Sequence, residues 1–260
     1  MIRVETIAVG SVPLALVDDF RAGRLTISST PTRLQITAPA QGLDMFDELR
    51  KLADGTAVSS AEPDPTAVVK AQLPGPVTLI VAEVETLQTC IRRLRSALDT
   101  LLTIHPLLEE VWLDEGLLAA APNDWSQLLA RTLRALKAEY HHLRFGVHCC
   151  GHLRSWELDE VDADAWAFDL SLAADDAIQA KRDGRLRGTL VWSIIPTNGD
   201  TPAWSADEIL TLHDELQPND RLIISAGCGF GTRDRDTIER AIAHQDHLID
   251  ALRSRIATRD

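Results

Sequence analysis

The sequence is short of cysteine, of basic residues and of long apolar runs, and each shortage removes a class of function. Four cysteines in 260 residues are too few for the disulfide framework of a small secreted domain. Lys and Arg number 26 against 39 Asp and Glu, a formal charge of −13. That balance argues against a nucleic-acid or anionic-membrane partner, since both are recognised through basic patches. No apolar stretch reaches the roughly 20 residues of a membrane-spanning helix. The opening Met1-Ile2-Arg3-Val4-Glu5 has no signal-peptide pattern. Also missing are a Gly-rich nucleotide loop, an internal repeat, a low-complexity segment and any linker-like stretch that would divide the chain. Hydrophobic content of 45% with 25% charged residues is that of a globular chain with a full core. The expectation is a cytoplasmic protein of one domain spanning residues 1–260.

What is present is a regular alternation. Apolar runs that read as buried strands lie at 5–9, 68–73, 110–115, 164–169 and 188–195. Two more run from 144 into His148 and from 221 into Cys228, and a β-like patch at 24–38 ends in the weakest strand, 33–38. Segments with apolar residues at helical spacing separate them. The spacing predicts helices at 43–52, at 77–103 with Leu87, Ile91, Leu94, Leu98 and Leu101 on one face, and after an Asp124 N-cap. Further helices are expected at 153–158, at 173–182, behind the Ser205-x-x-Glu208 capping box, and at 233–255. The stretch 53–65 reads as a surface loop. Eight strands alternating with helices in this length predict an α/β fold, a (β/α)8 TIM barrel. A doubly wound open sheet is the alternative, without the nucleotide loop that usually accompanies it.

In such a barrel the functional side chains gather at the C-terminal ends of the strands. Those ends carry Gly10-Ser11, Asp114-Glu115, His148 and Cys150, Asp169, and Cys228. His148 and Cys150 are two residues apart, so at a strand end they share a face while Cys149 turns away. Nitrogen, sulfur and carboxylate donors together make a zinc set: His148, Cys150, Asp169 and Cys228. Each of these residues alone is more often packing or capping; their common placement at strand ends carries the weight. Gly10-Ser11-Val12-Pro13 is either a loop whose N–H groups and hydroxyl suit a carboxylate or a plain turn. Cys90 sits in a helical pattern and reads as packing. Trp112, Trp166 and Trp192 lie in strands and read as core, whereas Trp125, Trp156 and Trp204 stand near helix starts or loops. His105, His141, His142, His213, His244 and His247 are expected in solvent.

Five short motifs, in order from residue 10 to residue 233, resemble the catalytic barrel of cobalamin-independent methionine synthase, in the uroporphyrinogen-decarboxylase-like superfamily. Gly10-Ser11-Val12-Pro13 resembles that family's Gly-Ser-x-Pro loop, and Gly75-Pro76-Val77-Thr78 its Gly-Pro-Val-Thr turn. Asp114-Glu115 resembles its Asp-Glu strand end, His148-Cys149-Cys150 its His-x-Cys pair, and Cys228-Gly229-Phe230-Gly231-Thr232-Arg233 its distal Cys turn. The resemblance implies a zinc-dependent methyltransferase that methylates the thiol of homocysteine. Zinc would sit on His148, Cys150, Asp169 and Cys228. Gly10 and Ser11 would hold the substrate carboxylate, Asp114 its ammonium, and Asp114 with Glu115 would stand at the reaction centre.

The sequence departs from the family at three places. Asp169 stands where the family usually has Glu, one methylene longer. The segment 194–197 lacks the family's His. The chain is shorter than the family barrel in the region after the first strand, with no second barrel to help bind a folate, so a corrinoid or corrinoid protein is the expected methyl donor. Two alternatives remain: a corrinoid-linked methyltransferase serving another thiol such as coenzyme M, and a zinc- or ligand-binding barrel without catalysis, acting as a partner subunit. A decarboxylase of the wider superfamily would not need the thiolate donors.

Overall fold

A computed structural model describes residues 2–7, 16, 19, 33–35, 68–82, 86–118, 121, 124–151, 158–217 and 219–259. The Gly10-Ser11 loop, the helix expected at 43–52, the loop at 53–65 and most of the helix expected at 153–158 lie outside these residues. Eight strands are described: β1 (Arg3–Thr6), β2 (Arg33–Gln35), β3 (Val68–Pro74), β4 (Leu108–Asp114), β5 (Arg144–Cys149), β6 (Ala165–Phe168), β7 (Thr189–Ile195) and β8 (Arg221–Ala226). All pair in parallel, in the order β1-β8-β7-β6-β5-β4-β3-β2. Chain neighbours are thus sheet neighbours from β2 to β8, and the first strand closes onto the last. This is the order of a sheet curling round towards a barrel. Among the described residues no ladder joins β1 to β2.

Among the described residues six helices accompany the strands: α1 (Pro76–Val81), α2 (Leu87–Ile104), α3 (Trp125–Glu139), α4 (Leu170–Arg182), α5 (Ala206–Leu216) and α6 (Arg235–Ala257). The single helix expected over 77–103 is two. Pro76 starts the first, where its missing N–H costs nothing. The second begins afresh at Thr86, whose extended backbone (φ −82, ψ 159) and side chain, accepting from the Thr89 N–H, form an N-cap. Apolar periodicity ran across this break because both helices cover the same core. The Ser205 capping box forms as expected, with Glu208 returning a carboxylate to the Ser205 N–H. Asp124 takes the N-cap position of α3, although its side chain makes no cap bond. No described helix is long and apolar enough to cross a membrane.

The core has two layers. The outer one lies between strands and helices and includes Leu94, Leu98, Leu113, Leu133, Phe145, Val147 and Trp166. The inner one, inside the curl of the sheet, is Ile7, Trp112, Ala165, Ala167, Val191 and Ile223. Alternation along each strand produces the division, successive residues facing opposite layers. Trp112 fills the inner layer by lying over Gly146, its register partner on β5. A Cβ at Gly146 would sit 2.5 Å from the indole, so this position has room for hydrogen alone. At the opposite end of the interior, Arg221 grips Glu5 through two bonds of 3.1 and 3.0 Å.

His213 corrects an expectation. It is fully buried rather than solvated, with Nε2 3.2 Å from the Asn219 carbonyl, and burial lowers its pKa. Beside it, the Gln217 amide accepts from Leu190 N–H and donates to Leu190 C=O, pinning the end of α5 to β7. Trp125, at the start of α3, is core as well. Trp204 is half-buried and meets Trp192 edge-on at 6.3 Å.

Candidate metal centre

β5 is sealed on both faces, so its last residues leave the strand with fixed directions. His148 faces the interior beside Asp114 of β4, its register partner. Cys149 faces the outer core, where burial pushes its thiol up to about 12. Cys150 follows one residue beyond the strand and returns to the His148 side. Cys228 arrives from the turn after β8, which is tied to β7 by the Gly227 N–H donating to Ile195 C=O at 2.9 Å. The donor atoms of His148, Cys150 and Cys228 all lie within 4.8 Å of one another.

His148 is completely buried, and neither ring nitrogen has a hydrogen-bond partner. An imidazole in that condition leaves costly polar atoms unsatisfied. The two thiols are half-buried and hydrogen-bonded to each other. Hydrogen bonding from Cys150, with the electrostatic pull of nearby His148, brings Cys228 down to about 5 despite burial. The same bond, with burial, raises Cys150. Burial disfavours the His148 imidazolium, but the Cys228 sulfur and the Asp114 charge outweigh it and raise its pKa. A thiolate, a second thiol and an unsatisfied imidazole facing one point suit a borderline-soft divalent metal. The three residues present therefore fit such an ion.

The other residues marked out at strand ends are placed differently. Asp169 follows β6 as the N-cap of α4, where its Oδ1 accepts from Ser171 N–H (3.0 Å) and Ser171 Oγ (2.5 Å). It lies against Gly227, where a Cβ would come within 2.6 Å of Oδ1, yet it is not one of the residues whose donor atoms converge. Glu115 is fully buried and points away from the metal donors' cluster into the start of α1. Its carboxylate accepts from Val77 N–H (3.0 Å) and Thr78 N–H (2.7 Å). Burial raises its pKa to about 7 against the pull of those bonds. Gly75 is what permits this approach, since any Cβ there would collide with the Glu115 carboxyl. The Gly75-Pro76-Val77-Thr78 turn and Glu115 are thus one structural unit. Asp114, by contrast, is half-buried beside His148.

Reading the sequence as a run of strands passed over Lys70 and Gln72. Both are fully buried on the interior face of β3. Lys70 Nζ donates to Gln72 Oε1 at 3.3 Å, and Gln72 Nε2 donates to Asp114 Oδ2 at 3.2 Å. Nζ also stands 5.6 Å from the centre of the Trp112 ring. Desolvation lowers the Lys70 pKa to about 7, partly opposed by Asp114. The available signal was a Lys and a Gln at alternate positions of an otherwise apolar strand, which marks one polar face.

No family model matches the chain, and neither does any curated protein. Among solved structures, the chain is similar to a methyltransferase from Methanosarcina mazei. The identity is 10%, the match covers 94% of this chain and 81% of that one, and the TM-score is 0.47. The apo structure of Bacteroides uniformis beta-glucuronidase 3 is also similar, at 10% identity and a TM-score of 0.32, over 75% of this chain and 32% of that one.

Proposed function

We propose that the chain is a zinc-dependent methyltransferase, a core methionine synthase in type, that methylates the thiol of homocysteine with a corrinoid or corrinoid protein as donor. In this reading residues 1–260 form one closed (β/α)8 barrel. The observation that carries it is the buried His148 with both ring nitrogens unpartnered, facing two thiols at one point. His148, Cys150 and Cys228 hold the zinc. Asp169, one methylene shorter than Glu, has Oδ1 engaged by Ser171 and would join them through Oδ2. Zinc bound there supplies the means to keep a substrate thiol ionised at neutral pH.

The remaining roles belong to the chain. Cys150 would give up its thiol proton when metal binds, because a ligating sulfur is a thiolate. Asp114, beside His148, takes the substrate ammonium; Gly10 and Ser11 take its carboxylate. With both ends of the amino acid held, the sulfur is left facing the donor's methyl group. The sulfur lone pair forms the new S–C bond, and the electrons of the broken bond stay with the corrinoid. Glu115 supports the site by fixing the turn beside Asp114.

The test is zinc analysis of protein purified without chelator, followed by incubation with homocysteine and methylcobalamin. The expected result is about one zinc per chain, as a single site requires, with methionine formed and the cobalamin spectrum shifting in step. Coenzyme M replacing homocysteine as the better acceptor would redirect the thiol assignment. Absence of zinc after reconstitution would overturn the reading.

A further inference from the structure

The polar chain inside the sheet has no part in holding metal, and its cost needs a reason. Lys70 and Gln72 have no exposure to solvent, and an aliphatic pair in their place would avoid burying an ammonium and an amide. Their chemistry is directional. A Lys ammonium only donates and a carboxylate only accepts. Lys70 therefore faces the Gln72 oxygen, and the Gln72 NH2 faces Asp114. The amide cannot turn round without setting donor against donor at one end and acceptor against acceptor at the other. Asp114 Oδ2 is engaged by this bond, and among the described residues Oδ1 has no hydrogen-bond partner. The register places Asp114 beside His148, so the carboxylate stands next to the metal donors with one oxygen committed and one uncommitted.

Resting on the reading of Asp114 as an ammonium site, we propose that Gln72, oriented by Lys70, is the positioning residue that gives this site its preference for an amine-bearing thiol. Gln72 fixes the carboxylate rotamer, and the uncommitted oxygen then meets a substrate ammonium at a set distance from the metal-held sulfur. Thiols without the amine gain nothing from this arrangement. Specificity for an amino acid is thereby built on β3, which carries no metal donor.

The experiment is calorimetric titration of the zinc-loaded full chain with homocysteine and with 4-sulfanylbutanoate, the same molecule without its amino group. It is repeated on Gln72→Met, which keeps the shape and removes the donor, and on Lys70→Met, which removes the ammonium that faces the amide oxygen. Zinc content and melting temperature check that each variant is folded. The native chain is expected to prefer homocysteine by about tenfold or more, the usual worth of a charged hydrogen bond. Gln72→Met should lose most of that preference with 4-sulfanylbutanoate affinity unchanged, and Lys70→Met should lose part of it. A preference that survives in both variants would overturn the role of Gln72 and leave the proposed function standing. A native chain that binds both thiols equally would remove Asp114 as an ammonium site, and the inference with it, but not thiol binding. Binding of neither thiol would overturn the proposed function and the inference together. Should Gln72→Met fail to fold, Lys70→Met decides alone: full retention of the preference rejects the proposal, and partial loss upholds it.

Discussion

The two walls of the interior are built from different chemistry. From β3, β4 and β5 the inward positions include Lys70, Gln72, Glu110, Asp114 and His148, with Gly146 making room for the Trp112 indole, which itself donates to Glu110. From β6, β7 and β8, beyond Arg221 at the far end, they include Ala165, Ala167, Val191, Ser193, Ile223 and Ser225, small or aliphatic, with the two serines bonded to each other at 2.7 Å. The first wall carries fixed charges and dipoles; the second fills space. The two meet at the C-terminal edge, where the turn after β8 carries Cys228 across to His148 and Cys150. A site assembled this way takes its electrostatics from one side and its last sulfur from the other. Neither wall is sufficient alone.

Removing the sulfur that joins the walls should have the largest effect. Cys228→Ala leaves two donors, and zinc affinity should fall by well over 100-fold, beyond the 10–100-fold typical of losing an outer-sphere partner. Competition with a chromophoric chelator measures it. In the same assay Asp169→Ala should weaken binding by about tenfold or less, since its carboxylate is engaged with Ser171; an equal loss in both variants would make Asp169 a full ligand.

Next comes the support of the polar wall. Glu115→Ala strips two backbone N–H groups of their acceptor and should cost about 3 kcal/mol of stability in urea unfolding. A change below about 1 kcal/mol would mean that the turn finds other partners.

The smallest expected effect is a gain. Lys70→Met should stabilise the chain by about 2 kcal/mol at pH 6, because an apolar residue of similar volume replaces a buried ammonium. The pH dependence has a definite sign. With a folded pKa of about 7 against 10.5, Lys70 is protonated in both states below pH 7, and its burial cost is then complete. Between pH 7 and 10.5 the folded chain releases the proton first, so the cost fades and the advantage of the variant shrinks. An advantage that grows across that window would contradict the assignment.

Much of the candidate centre was legible in the sequence because strand geometry is periodic. A His and a Cys two apart at a strand end must share a face, and a sulfur past another strand end must come near if the sheet curls. The split between α1 and α2 was not legible, since one apolar stripe serves both helices. The burial of His213 was hidden too, because it depends on the turn at Asn219. Glu115 is the instructive case: next to Asp114 in sequence, it faces the other way, because adjacent residues leave a strand on opposite sides.

The sequence by itself therefore determined the strand–helix alternation, the parallel sheet and the approach of His148 and Cys150, all consequences of local periodicity. The tertiary structure decided which strands face each other across the interior. That placed Cys228 against His148, turned Glu115 into a helix anchor, and set Lys70 and Gln72 behind Asp114. Such pairings join residues far apart in the chain, as in the 42 residues from Gln72 to Asp114, and depend on sheet register, which no local pattern encodes.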